Sequence, residues 1–220
     1  MELVPLLKSL VLVPVTLLPI INPLTAAPVF VATAGHNRVV AKRLARQVAI
    51  NAWFVIVVSL LVGNVVLELF GISLPIVRIG GGLLVASTAW RMLASSAGDD
   101  VQEAAAESAS TLSDVEIMRR SFFPITFPLT TGPGTIAASI AIGAQIPTSP
   151  VMFVAGAGIA ALGAAATVLV LYLVFANSAR VLAKLGDIGT LVMMRLLAFI
   201  LLCIGIQFIW DGWAELNGLR

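Results

Sequence analysis

The sequence predicts an all-α membrane protein with six transmembrane helices, arranged as two inverted-topology repeats of three. Three observations carry this reading. First, 60% of the 220 residues are hydrophobic and 11% are charged, with mean hydropathy +1.06. A soluble domain is about 45–50% apolar, and a chain of this size cannot hide the excess from water. Second, six stretches approach or exceed the roughly 20 apolar residues that cross a bilayer. Third, a proline-bearing motif near the start recurs 110 residues later.

The six stretches are 4–34, 45–68, 72–94, 121–146, 150–176 and 189–213. The first is too long for one straight span, and the first and fourth carry internal prolines. The other four read as continuous helices. Trp53, Trp90, Trp210 and Trp213 fall near segment ends, where amphipathic rings sit at the headgroup level. The length of the first stretch, its prolines and Glu2 argue against a cleaved signal peptide.

The connections alternate in charge. The first, third and fifth hold Arg38, Lys42, Arg43, Arg46, Arg119, Arg120, Arg180 and Lys184, with Arg91 at the edge of the third. The second and fourth hold no Lys or Arg. The positive-inside rule puts the odd connections in the cytoplasm and both termini on the outer face; Lys8 and Arg220 oppose this weakly. The chain divides into a three-helix repeat (1–94), a polar acidic cytoplasmic linker (95–120) and a second, inverted three-helix repeat (121–220). The linker carries Asp99, Asp100, Glu103, Glu107, Asp114 and Glu116 among Ala and Ser, the composition of a solvated tether with room for a short helix.

Several classes are disfavoured. Cys203 is the one cysteine, so it forms no intrachain disulfide or cysteine cluster; it reads as a buried small apolar side chain. His36, the one histidine, falls in a polar loop. The basic cluster Arg38 to Arg46 lies between apolar stretches, as membrane-flank chemistry, and no basic stripe interleaved with aromatics points to nucleic acid. The helices carry no Ser/His or paired-Asp constellation, so no enzyme, metal site or cofactor is expected. Glu68 and Asp211 lie near helix ends, so no carboxylate proton relay is evident.

The repeat is specific. "VPVTLLPIINPLTAAP" (13–28) aligns without a gap on "FPITFPLTTGPGTIAA" (123–138). It pairs Pro14 with Pro124, Thr16 with Thr126, Pro23 with Pro133, Thr25 with Thr135 and Ala27 with Ala137; Asn22 falls opposite Gly132. More weakly, "LPIVRIGGGLLV" from Leu74 matches "LVMMRLLAFILL" from Leu191, pairing Arg78 with Arg195. Three spans per copy force the second copy to enter from the other side, as in many secondary transporters.

Asn22-Pro23 reads as an N-cap followed by proline at the first helical position, and Gly132-Pro133 as its counterpart. Segments one and four then break near the midplane into half-helices. A half-helix start offers free N–H groups and about half a positive charge, suited to a carboxylate. The ends of the preceding halves offer carbonyls, suited to an ammonium. The broken backbone must be covered by protein or line a cavity. The candidate substrate residues are Asn22, Pro23, Leu24, Thr25, Thr131, Gly132, Pro133, Gly134 and Thr135, with Thr16, Thr126 and Thr130 adding uncharged hydroxyls. The competing reading makes these packing kinks, with threonines bonding back to their own helices. Arg78 and Arg195 would cost about 2.5–3.5 kcal/mol each at a helix centre. Either they snorkel outward, or they support the site by bonding carbonyls of the broken helices. Gly80 to Gly82 and the small-residue run Gly156 to Ala166 read as close-packing faces.

With "NPLTAAPVF", "LPIVRIGGGLLV", "PLTTGPGTIA" and "LLCIGIQFIWDG", the chain resembles the MarC family of bacterial inner-membrane proteins. The resemblance implies six membrane helices, an inner-membrane location and kinship with amino-acid exporters. It carries the substrate site onto Asn22 to Thr25 and Gly132 to Thr135. The expectation is a secondary transporter, an exporter or a proton- or sodium-coupled carrier, for small neutral amino acids such as alanine, glycine, serine or threonine. The alternative is a channel or lipid-linked flippase on the same architecture. A homo-oligomer is compatible with either.

Overall fold

The computed structural model describes residues 3–35, 37–94, 114–146 and 149–219. Glu2, His36, Arg220 and most of the acidic linker lie outside the described residues. The described residues form helices and turns, with no strand among them.

Helix α1 (Leu3–Ile21) is followed by α2 (Pro23–Ala34), set at 57° to it. Helix α3 (Arg38–Leu69) starts on a true N-cap: Asn37 Oδ1 accepts from the Val39 N–H at 2.9 Å and the Val40 N–H at 3.4 Å. Its 32 residues extend about 48 Å, so its basic first turns project beyond a hydrocarbon core of about 30 Å. Gly71, at φ 64°, turns the chain into α4 (Leu74–Ala94), while the Ile72 N–H closes on the Leu67 carbonyl at 2.9 Å. Helix α5 (Asp114–Arg120) ends the linker and runs into a kinked, π-helical segment, Ser121–Thr130, whose winding is interrupted at Phe123 and Phe127. Then come α6 (Pro133–Gly143), α7 (Pro150–Ala176) and α8 (Ser178–Leu216). Gly186, at φ 65°, breaks α8, and its long apolar part runs Ile188–Leu216.

Among the described residues, four helices are long and apolar enough to cross a membrane alone, and the two bent pairs bring the number of spans to as many as six. Large apolar side chains cover the outside: Val58, Val62, Leu83, Leu162, Leu173, Leu196, Phe199 and Ile206 are all exposed. An apolar surface of that extent fits lipid, not water. Trp90, Trp210 and Trp213 lie on it. Trp53 does not behave as an interfacial aromatic. It sits mid-helix in α3, half-buried against the core, and its Nε1–H donates to the Ala161 carbonyl at 3.2 Å, because an indole N–H away from water needs an acceptor. Cys203 is exposed on the outer side of α8, not buried as expected.

Helices α4 and α8 lie antiparallel along their whole shared length. A side chain on Gly82 would meet the Gly205 carbonyl at 2.6 Å, and one on Gly212 the Pro75 carbonyl at 2.6 Å. The small residues thus allow backbone-to-backbone packing, which holds helices together where lipid supplies no hydrophobic drive. The core proper is built from Val13, Leu17, Ile21, Phe30, Leu44, Val48, Ile56, Ile125 and Leu171, with Phe30 stacked on Phe175 at 4.6 Å.

Contacts between the helices come in matching pairs. Helix α3 packs on α7 and α4 on α8. The α1–α7 contact matches that of the π-helical segment with α3, α4–α6 matches α8–α2, and α3–α6 matches α7–α2.

Candidate functional site

The first break forms because proline removes helix donors. Pro14 and Pro19 lie inside α1, and Pro23 opens α2. Between them Asn22 takes the left-handed conformation, φ 46° and ψ 64°. Its N–H donates to the Leu18 carbonyl at 2.9 Å, closing α1 as a left-handed residue commonly does.

This corrects the expected N-cap. Asn22 makes no side-chain hydrogen bond to the start of α2, because capping needs extended backbone and Asn22 is left-handed. Its carbonyl serves instead, accepting from the Thr25 N–H at 3.1 Å and the Thr25 hydroxyl at 2.8 Å. Among the described residues no backbone N–H reaches the Pro19, Ile20 or Ile21 carbonyls, and the Leu24 N–H has no backbone acceptor. The end of α1 therefore presents carbonyls and the start of α2 presents a donor, as expected from sequence.

The second break is longer. Phe123 and Phe127, each before a proline, are extended rather than helical, as the clash with a following proline ring requires. Threonines repair the lost ladder. The Thr126 hydroxyl donates to the Ser121 carbonyl at 2.6 Å, and that of Thr130 to the Ile125 carbonyl at 2.9 Å. The Thr131 hydroxyl donates to the Thr126 carbonyl at 2.9 Å, and that of Thr135 to the Thr130 carbonyl at 3.1 Å. Each reaches five residues back, further than the regular helical step. Gly132 is extended, and Pro133 then opens α6 at 69° to the preceding helical stretch.

Thr25, Thr126, Thr130, Thr131 and Thr135 thus commit their hydroxyl protons to their own backbone. What they still offer a ligand is oxygen lone pairs. Thr16 is half-buried on α1. Asn22, Pro23, Thr126, Thr130, Thr131, Gly134 and Thr135 are buried, Leu24, Thr25 and Gly132 are half-buried, and Pro133 is exposed.

Packing brings the two breaks together. A Cβ placed on Gly134 would collide with Val85 Cγ2 of α4 and lie 3.7 Å from Ile20 Cγ2 at the end of α1. Gly81 of α4 faces Ala137 of α6 in the same way. Glycine at 134 is what lets the start of α6 pack onto Val85 of α4, and in that position it lies within ordinary contact of Ile20 at the end of α1. Val85, Ile20 and Gly81 were not singled out as site residues, because non-local contacts between apolar side chains leave no motif.

Arg78 and Arg195 are not at the breaks. Arg78 pairs with Glu215 near the end of α8, and Arg195 donates to the Leu93 carbonyl, and to that of Met92 at 3.4 Å, near the end of α4. Antiparallel packing sets the start of each helix beside the other's end. There a cation meets carbonyls and the negative end of the helix dipole. Among the described residues, these bonds run to Glu215 of α8 and to α4 carbonyls rather than to the broken helices. The only trace of Glu215 in the sequence is an acidic residue near the close of the final apolar segment.

A family model described as MarC family integral membrane protein matches residues 7–216. A protein of Escherichia coli O139:H28 named UPF0056 inner membrane protein MarC is 34% identical, over 96% of each chain. Its namesakes in Salmonella typhimurium and Salmonella arizonae are 30% identical, again over 96% of each chain. No solved structure matches. With four to six apolar helices and this match across nearly its whole length, the chain belongs to the MarC family of integral membrane proteins and is a multi-pass inner-membrane protein.

Proposed function

We propose that the protein is a secondary transporter of small neutral amino acids such as alanine, glycine, serine or threonine, working by alternating access around its two broken helices. It acts as a carrier and not as an enzyme. The observation that carries this reading is the close approach of the two breaks, with Gly134 of α6 packed beside Ile20 of α1.

A substrate carboxylate would sit at the N-terminal ends of α2 and α6, against the N–H groups of Leu24, Gly134 and Thr135. Its ammonium would face the carbonyls of Pro19 to Ile21 and the hydroxyl oxygens of the threonines. No Asp, Glu, Lys or Arg belongs to either break, which favours a substrate of zero net charge and a small side chain. An inverted repeat is supported by the recurrence of Pro-x-Thr at offset 110 and by helix contacts that come in matching pairs. In that arrangement α4 and α8 form a glycine-packed scaffold, and the bent pairs rock against it. Both termini face outward, a proton or sodium ion supplies coupling, and a homo-oligomer is allowed.

Uptake of labelled alanine, glycine, serine and threonine into proteoliposomes, with and without a proton or sodium gradient, tests this. Saturable flux with counterflow is expected. Absence of flux for all four under every gradient sinks the proposal, and unsaturable flux assigns a channel instead.

A further inference from the structure

Between α3 and α7 lies an apolar groove of about 500 Å³, and none of its lining residues belongs to the breaks. Arg46, Ala49, Ile50 and Trp53 line one wall, and Ala165, Val168, Leu169 and Tyr172 the other. Both sets follow the i, i+3, i+4, i+7 spacing of a single helix face.

The groove has a polar end and an apolar end. Phe175 stacks on Phe30, near the end of α2 and so near the start of α3. The two helices therefore run antiparallel, with Arg46 beside Tyr172 and Trp53 beside Ala165. From Arg46 to Trp53 is seven residues, about 10 Å along the axis. Arg46 is the last basic residue of the cluster opening α3, with Lys42 one turn before it, and both are exposed. No acidic residue lines the groove, and no carboxylate pairs with Arg46 among the described residues. The polar end therefore sits where polar sequence gives way to apolar, the level of the headgroups.

We infer that this groove holds one anionic phospholipid, its phosphate on Arg46 and its acyl chain running past Ile50 and Leu169 to Trp53. The occupant follows from three features together. An apolar channel open to the bilayer is filled by hydrocarbon and not by water. The cation at its mouth matches an anionic headgroup, as basic pockets between membrane helices do. The Tyr172 ring and the Trp53 indole, whose N–H is already bonded to Ala161, supply amphipathic walls. The lipid would act as a wedge joining α3 of one half to α7 of the other.

The full chain, purified in mild detergent, is incubated with equal amounts of phosphatidylglycerol and phosphatidylethanolamine, and bound lipid is read by native mass spectrometry. One phosphatidylglycerol per chain is expected, well above phosphatidylethanolamine. Arg46→Gln should weaken retention about tenfold, the scale of one charge-assisted hydrogen bond, and Arg46→Lys should restore part of it. Ala165→Phe fills the groove without changing charge and should abolish retention. Phosphatidylglycerol with brominated chains should quench tryptophan fluorescence with a component that saturates at one lipid per chain, and Trp53→Phe should remove that component while leaving the quenching of the exposed Trp90, Trp210 and Trp213. This reads the unaltered groove even if Ala165→Phe misfolds. Equal retention of the two lipids by the native chain overturns the inference. So does native-level retention in a monodisperse Ala165→Phe protein, or a saturable component untouched by Trp53→Phe.

Discussion

Arg78, one turn into α4, forms an ion pair with Glu215, close to the end of α8. Arg195, with which Arg78 aligns in sequence, lies one to two turns into the apolar part of α8 and reaches the Leu93 carbonyl at the end of α4. The two differ in what they should contribute. The Glu215 side chain is 41% exposed, and an exposed pair is worth about 0.2–1 kcal/mol. Glu215→Gln should lower the melting temperature only slightly in detergent. Arg195→Met strips a donor from part-buried carbonyls and should cost about 1–3 kcal/mol. A thermal melt ranking Glu215→Gln as the more damaging would contradict this assignment.

Asn22 holds the one positive φ found outside glycine among the described residues. Asn22→Gly should keep the fold, and Asn22→Ala should cost about 1–2 kcal/mol because a Cβ disfavours left-handed backbone. Should the amide itself contact substrate, Asn22→Gly loses uptake while its melting curve stays close to native. Full uptake in Asn22→Gly would leave the residue a purely conformational role.

Gly134→Ala should abolish uptake through the collision with Val85. Val85→Ala removes the offending methyl, so the double variant Gly134→Ala/Val85→Ala should recover activity and stability beyond the sum of the single effects. Additive losses in a double-mutant cycle would mean that the two residues do not meet.

Thr135→Val keeps the shape of the side chain and deletes its hydrogen bond to Thr130. The cost should be about 1–3 kcal/mol, with Thr135→Ser close to native. If the hydroxyl oxygen also faces the ammonium, Thr135→Val raises the KM for alanine as well. A native melting temperature in Thr135→Val would show that the hydroxyl does not support the π-helical segment.

The helices were legible because hydrophobic length and proline position act locally. Stretches 72–94 and 150–176 match α4 and α7 to within two residues. Both breaks were readable too, since a proline deletes its donor whatever surrounds it. The conformation of Asn22 is not legible in the sequence. Asn before Pro suits an N-cap and a left-handed C-cap alike, and which one forms depends on how α1 ends. The depth of Trp53 is not legible either, because the basic start of α3 is itself helical, which moves the indole far from the helix end.

By itself the sequence determined that the chain lives in a bilayer, where its helices run and where two of them must break. Composition and covalent geometry dictate those features residue by residue. Only the tertiary structure decided that Gly134 meets Ile20, that the arginines cap opposite ends of the α4–α8 pair, and that α3 and α7 leave a groove between them. Those relationships depend on helix rotation and crossing. Shape complementarity among distant small and large side chains sets both, and no stretch of sequence encodes them alone.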